Sequence, residues 1–361
     1  MGGKRMKSWR DNVRRVVPYV PGEQPNDPDM IKLNTNENPY PPSPKVEEAI
    51  RNLDCDALRL YPDPTAHKLV SAIADYHDLK ESQVFVGVGS DDVLAMAFMT
   101  FFNGDRPILF PDITYSFYDV WADLLRIPYV KVPLNQELEI SCADYKQENG
   151  GVIFPNPNAP TGTALTLEEI RFILEHNRET TVIVDEAYVD FGADTALPLL
   201  KEYDNLLVVR TFSKSRSMAG MRIGYACGSE EMIRCLNDVK YSFNSYTMDM
   251  TVLEAGAASI ADEVYFQETI CKVQETRQWT QEQLRRLGFT LKDSSANFVF
   301  ASHGECPARE LFEALRQNHI YVRYFDKPRI DNYLRITIGT QKEMEKLVDF
   351  LETYLKKRKE R

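Results

Sequence analysis

Cysteine is scarce and scattered. The six, at positions 55, 142, 227, 235, 271 and 306, form no CxxC pair and no metal-ligand spacing, and a chain of 361 residues needs no disulfide framework, so reduced thiols are expected. The five histidines, at 67, 77, 176, 303 and 319, also lack ligand spacing, which leaves no metal site and makes them surface or satisfied core residues. No apolar run reaches the roughly 18 residues of a membrane-crossing helix. MGGKRMKSWRDNVRR lacks the apolar core of a signal peptide, so the reading is a cytoplasmic protein with no membrane partner. Positive charge is in deficit: 43 lysines and arginines face 54 aspartates and glutamates, for a net charge of −11. That balance gives no basic footprint for nucleic acid and favours a small-molecule partner. The terminal LKKRKER then reads as a solvated helix end at the negative pole of its dipole. There is no GxxxxGK[ST] phosphate loop, no internal repeat and no low-complexity tract.

Proline, by contrast, is concentrated. Pro18, Pro21, Pro25, Pro28, Pro39, Pro41, Pro42 and Pro44 forbid a regular helix or central strand, so residues 1–44 read as an extended arm crossing a surface. Beyond it the length exceeds the roughly 250–300 residues at which single cores stop growing, which predicts a large domain over 45–246 and a smaller one over 247–361. Short apolar runs, VFVGV, PILF, GVIF, TVIVDEAY, LLVVRTF and MRIGYACG, alternate with helical patterns. One such helix, TLEEIRFILEHN, opens on Thr166 with Glu169 three places on, a capping box. The alternation predicts an α/β fold with a mostly parallel sheet covered on both faces. Residues 247–287 read as a helix pair joining the domains, and FTLKD, NFVFAS, IYVRYF and YLRITIG as strands of a smaller α+β unit with helices near 307–317 and 341–356.

In open parallel sheets ligands sit beyond the carboxyl ends of the strands. Those positions carry Gly89-Ser90-Asp91-Asp92, then Asn156, Asn158 and Thr161 in a proline-rich loop, then Asp185 and Tyr188, then Thr211, Ser213, Lys214 and Arg222. A carboxylate such as Asp185, after four apolar residues, must find a partner or titrate high. A helix opening at Ser90 offers free N–H groups to an anion, or is an ordinary N-cap. One cofactor asks for the whole set. Pyridoxal 5′-phosphate needs a lysine amine for an imine bond, a carboxylate for its pyridine nitrogen, donors to its phenolate oxygen, and hydroxyl, arginine and helix-terminus donors for its phosphate.

At this point the chain resembles the fold-type I aminotransferases of classes I and II. The likeness runs through KLNTNENPYPPSP, RLYPDPTAHKL, GVGSDD, PDITYSFY, FPNPNAPTG, VDEAY, RTFSKSRSMAGMRIGY and YLRITIGT, in order along nearly the whole length. It implies a seven-stranded, mostly parallel sheet of the aspartate aminotransferase type and a smaller α+β domain. Carried over residue by residue, Lys214 resembles the lysine that bonds the cofactor and shuttles the substrate proton. Asp185 resembles the partner of the pyridine N–H. Tyr188 and Asn158 become donors to the phenolate oxygen, Tyr115 the ring that stacks on the cofactor, and Ser90, Asp91, Thr211, Ser213 and Arg222 the phosphate cup, with Ser217, Ala219 and Gly220 turning the backbone close to it. One departure stands in the loop: the commoner Asn-Asn-Pro is here Asn158-Ala159-Pro160. Tyr61 resembles a tyrosine that reaches the phosphate from a second subunit, which implies a homodimer with shared sites.

For substrate, Arg335 resembles the family arginine that grips a distal anion, and Arg323, one strand earlier, adds a second positive charge suited to a phosphate dianion. Tyr19 resembles the residue that closes over the substrate from the partner chain. The branch implied takes histidinol phosphate and 2-oxoglutarate and returns imidazole-acetol phosphate and glutamate. An aromatic amino-acid aminotransferase and a decarboxylase of threonine phosphate are the alternatives within the fold. A non-catalytic sensor would need an added DNA-binding domain, for which the arm is too short.

Overall fold

The structure, a computed structural model, describes residues 8–25 and 29–360; Pro28 of the arm and Arg361 of the basic tail lie outside that set. Strands β1 (Val84–Val88), β2 (Ile108–Pro111), β3 (Tyr129–Val132), β4 (Gly151–Pro155), β5 (Val182–Asp185), β6 (Leu206–Thr211) and β7 (Ile223–Cys227) form one sheet in the order β1-β7-β6-β5-β4-β2-β3. β7 alone runs against its neighbours. The strands from β6 to β3 pair in parallel, as the alternation predicts. Successive side chains leave a strand on opposite faces, so Val182, Val184, Leu206 and Val208 join one buried cluster while Ile183, Leu207 and Val209 join another. A sheet buried on both sides explains why these runs are continuously apolar. The capping box forms at the start of the helix Leu167–Glu175: Thr166 N–H donates to Glu169 Oε2 at 2.8 Å, and Glu169 N–H donates to Thr166 Oγ1 at 3.3 Å.

The helices Met250–Ile260 and Glu263–Arg286 lead to a second sheet. Strands β8 (Phe289–Leu291), β9 (Phe298–His303), β10 (Arg323–Tyr324) and β11 (Leu334–Thr337) pair antiparallel in the order β10-β11-β9-β8. The helices Ala308–Gln317 and Gln341–Lys359 close its core with Leu311, Leu315, Leu347 and Leu351. IYVRYF is not one strand. Ile320–Tyr321 turns aside to pair in parallel with Ile31–Lys32 of the arm, and only Arg323–Tyr324 continues into the sheet. The arm therefore does more than cross a surface. Leu33 N–H donates to Tyr321 O at 2.7 Å, Leu33 O accepts from Thr337 N–H at 3.0 Å, and Leu33, Asn34 and Asn36 are buried. That threads residues 33–36 between the two sheets.

Candidate active site

The carboxyl ends of β1, β4, β5 and β6 open on one crevice. A cavity of about 170 Å³ is walled by Ser90, Asp91, Tyr115, Asp185, Thr211, Ser213, Lys214 and Arg222. A second, of about 160 Å³, is walled by Tyr19, Asn34, Asn36, Arg323, Phe325 and Arg335. Thr35, Tyr115, Ala159, Tyr188 and Lys214 belong to both walls, so the two are halves of one space.

The first half begins at the helix Ser90–Phe101, whose N-cap is Gly89 at φ 84° with no side chain capping the first turn. Ser90 and Asp91 are thus not ordinary caps, and Asp92 turns back to accept from Val88 N–H at 2.9 Å. The free N–H groups face the cavity as an anion site. Glycine is required at two places here: a Cβ on Gly89 would lie 2.4 Å from Arg222 Nη2, and one on Gly224 would lie 2.3 Å from the backbone of Gly89 and Ser90. The turn beyond Lys214 takes its left-handed residues at Ser217 (φ 60°) and Arg222 (φ 53°). Of the three small residues expected to turn the backbone close to the anion, Gly220 is not sterically required, since a Cβ there would meet nothing within 4 Å. Arg222 Nη2 lies 3.2 Å from Asp91 Oδ2, and Tyr115 Oη donates to Asp91 Oδ1 at 2.7 Å. Thr211 Oγ1 lies 3.0 Å from Ser213 Oγ, which completes a cup of hydroxyls and guanidinium.

Lys214 Nζ donates to Thr35 O at 3.1 Å and stands 5.8 Å from the centre of the Tyr188 ring. Its loop is tied from behind: Asp190 Oδ2 accepts from Ser215 Oγ at 2.5 Å, and Asp190 Oδ1 from Arg210 Nη2 at 2.6 Å. Arg210 is therefore a buried anchor, also 3.3 Å from Glu186 Oε2, and takes no part in the cup. His77 belongs to the same support. It lies 2.8 Å from Tyr225 Oη, and burial, with the Arg210 charge, holds it down to about 3 and so neutral.

Asp185 closes the floor. Burial pushes its carboxyl up to about 6, against the opposing pull of the Tyr118 hydroxyl, 2.8 Å from Oδ2, and of Ala187 N–H, 3.2 Å from Oδ1. Tyr118 went unrecognised in the sequence, where it reads as one more aromatic on a helix face. Because folding favours the protonated acid, Asp185 weighs against the cofactor-free fold increasingly as pH rises from the unfolded value of 3.8 through about 6. Asp185→Asn should stabilise that form by roughly 2 kcal/mol at pH 8 and by a small fraction of that at pH 4. Denaturant melts at the two pH values check it.

Other expected residues fall differently. Asn158 lines neither cavity: its Nδ2 donates to Ile113 O at 3.0 Å and to Thr161 Oγ1 at 3.1 Å, and its Oδ1 accepts from Thr114 Oγ1 at 3.1 Å. With its amide fully engaged in holding the loop, it has no donor for a ligand, and the methyl of Ala159 forms that wall. Tyr19 lines the cavity of its own chain, stacked on Phe117 with ring centres 4.2 Å apart. Tyr61 is remote from the crevice walls, 79% exposed and stacked on Tyr246 at 4.6 Å. Arg323 and Arg335 face each other directly across β10 and β11. Among the described residues neither has a carboxylate partner.

The donor set fits pyridoxal phosphate. Lys214 offers the amine, Asp185 a buried carboxylate that gains from a cationic N–H, Tyr188 a hydroxyl, and Arg222, Thr211, Ser213 and the uncapped helix start an anion cup. The class I and II aminotransferase family model matches residues 28–351. Over 349 residues, 97% of this chain and 98% of the relative, the sequence is 52% identical to the histidinol-phosphate aminotransferase of Lactococcus lactis subsp. cremoris. That of Acinetobacter baylyi is 50% identical over 355 residues, 98% of each chain. Among solved structures, histidinol-phosphate aminotransferase from Sinorhizobium meliloti in complex with pyridoxal-5′-phosphate aligns with a TM-score of 0.81 at 23% identity over 90% of each chain, a likeness of fold.

Proposed function

The chain belongs to the class I and II aminotransferases, and we propose that it moves the amino group of histidinol phosphate to 2-oxoglutarate, giving imidazole-acetol phosphate and glutamate in histidine biosynthesis. Its cofactor is pyridoxal 5′-phosphate. The observation that carries the substrate reading is the pair Arg323 and Arg335, two guanidinium groups without a carboxylate partner among the described residues, on adjacent strands at the far end of the crevice from Asp185. A carboxylate satisfies one such fork; a phosphate dianion accepts from both.

When bound, the cofactor supplies a protonated ring that withdraws the electron pair left on the substrate Cα. This chain's residues do the rest. Lys214 Nζ takes the Cα proton of the amino donor, within a crevice that Tyr115 and Tyr19 screen from water. With the cofactor bound, Asp185 would hold the pyridine N–H, Tyr188 would donate to the phenolate oxygen, and Arg222, Thr211, Ser213 and the N–H groups of Ser90 and Asp91 would hold the phosphate. In this reading residues 45–246 form the cofactor-binding domain and 247–361 carry the substrate arginines. The enzyme is a cytoplasmic homodimer, with Tyr61 completing the partner's phosphate site. The exposed apolar run of Leu58, Leu60, Tyr61, Phe243 and Tyr246 supports such an interface. Among the described residues no helix is long and apolar enough to cross a membrane.

Turnover with histidinol phosphate, phenylalanine and threonine phosphate tests the substrate. The one extra charged contact that a dianion makes, worth roughly 1.5–3 kcal/mol, predicts kcat/KM for histidinol phosphate about 10- to 100-fold above phenylalanine. Release of carbon dioxide from threonine phosphate would replace this reading with a decarboxylase.

A further inference from the structure

Tyr188 has one hydroxyl and that hydroxyl one proton, so its neighbours decide where the proton points. Asn36 Nδ2 lies 2.9 Å from Tyr188 Oη. The direction of that bond is fixed by the residues around it. Asn36 N–H donates to Thr337 Oγ1 at 3.1 Å, so the threonine's own proton goes to Asn36 Oδ1 at 2.9 Å. With Oδ1 engaged as acceptor, the amide presents Nδ2 to the tyrosine. Asn297 Nδ2 holds Asn36 O at 3.0 Å, and Asn36 is fully buried, so the amide cannot swing away. The tyrosine oxygen therefore accepts from the arm, and its proton is left for the cavity that Tyr188 shares with Lys214.

The need for such an arrangement is local to this chain. Ala159 presents a methyl where the commoner loop has an amide, and both Nδ2 protons of Asn158 are engaged elsewhere. That leaves the Tyr188 hydroxyl as the side-chain donor on this wall.

We propose that Asn36 is a positioning residue that aims the Tyr188 proton at the cofactor's phenolate oxygen, a relay standing in for the direct amide donor that Ala159 lacks. The inference rests on the aminotransferase reading above. A hydroxyl whose proton is held outward stabilises the phenolate form throughout the cycle. A hydroxyl free to rotate does so only part of the time.

The test is a pH titration of the visible cofactor band in the holoenzyme, for wild type, Asn36→Ala, Tyr188→Phe and the double variant. Asn36→Ala should raise the midpoint by about 0.5–1 unit, Tyr188→Phe by at least as much, and the double variant no further than Tyr188→Phe alone. Adding Ala159→Asn to Asn36→Ala should bring the midpoint back toward wild type. Should Asn36→Ala fail to fold, Asn36→Asp keeps the shape. Its carboxylate takes the tyrosine proton away from the cavity, so the midpoint should rise as far or further. An unmoved midpoint in the folded Asn36 variant, with or without a loss of thermal stability, overturns the relay, as do single shifts that simply add. In those outcomes the wild-type band persists and the family reading stands. A wild-type chain that shows no band with pyridoxal phosphate fails both.

Discussion

Replacing Lys214 with alanine should lower transamination by roughly 10⁴-fold or more while leaving the fold in place. The side chain has little to do with stability. It is partly exposed, lies on the loop after β6, and makes one hydrogen bond, to Thr35 O. Truncation leaves that carbonyl facing a cavity that water can enter, so the free energy of unfolding should change by the few tenths of a kcal/mol ordinary for such sites. Chemistry at Cα, in contrast, loses its only amine among the walls of the crevice. Two readouts separate these effects: the absorbance of the bound cofactor, which should lose the band owed to its bond with lysine, and kcat with saturating substrates. An unchanged band in Lys214→Ala would remove the lysine, and with it the mechanism.

Asp185 and Lys214 were legible in the sequence for related reasons. A polar residue directly after a continuous apolar run emerges at the end of a buried strand, as Asp185 does on β5, and Lys214 lies on the loop that follows Thr211, the last residue of β6; strand ends in a parallel sheet share one edge. Local rules also sufficed for the capping box at Thr166, and the helix pair after residue 247 followed from its unbroken pattern. What stayed hidden depended on partners far along the chain. Asn36 meets Tyr188 across 152 residues and Thr337 across 301, and nothing in TNENP announces either. Tyr118 shows the same limit, since only the folded sheet brings Asp185 to it. Asn158 was misplaced because an amide's direction depends on three neighbours, Ile113, Thr114 and Thr161, rather than on its loop motif. IYVRYF reads as one strand by composition, and only the arm's pairing at Ile31–Lys32 divides it. The edge strand Tyr129–Val132 was missed because its middle residues are exposed, which dilutes the apolar signal.

The second large effect is expected at Arg335. Its guanidinium is held over the faces of Phe298 and Phe325, at 5.4 and 5.7 Å, and Nη2 donates to Asn34 O at 2.9 Å. Nε is buried without a partner among the described residues. Burial foremost, and the Arg323 charge beside it, make the cation less favourable than usual. Directly opposed like charges on paired strands are themselves destabilising. An incoming phosphate relieves both strains at once, which is why the contact should weigh heavily in binding. Arg335→Gln should reduce kcat/KM for histidinol phosphate by about 10³-fold, in line with roughly 4 kcal/mol for truncating one side of an enclosed charge pair. Arg335→Lys should recover little, because an ammonium cannot form the bidentate contact. Arg323→Gln, whose side chain meets the ligand only when a dianion is present, should cost about 10- to 50-fold with histidinol phosphate and leave KM for glutamate nearly unchanged. The same substitutions should hold or raise the melting temperature of the ligand-free protein, since each removes one of two like charges that face each other across β10 and β11. A loss of activity accompanied by a matching loss of stability would mean that the arginines serve the sheet and not the substrate.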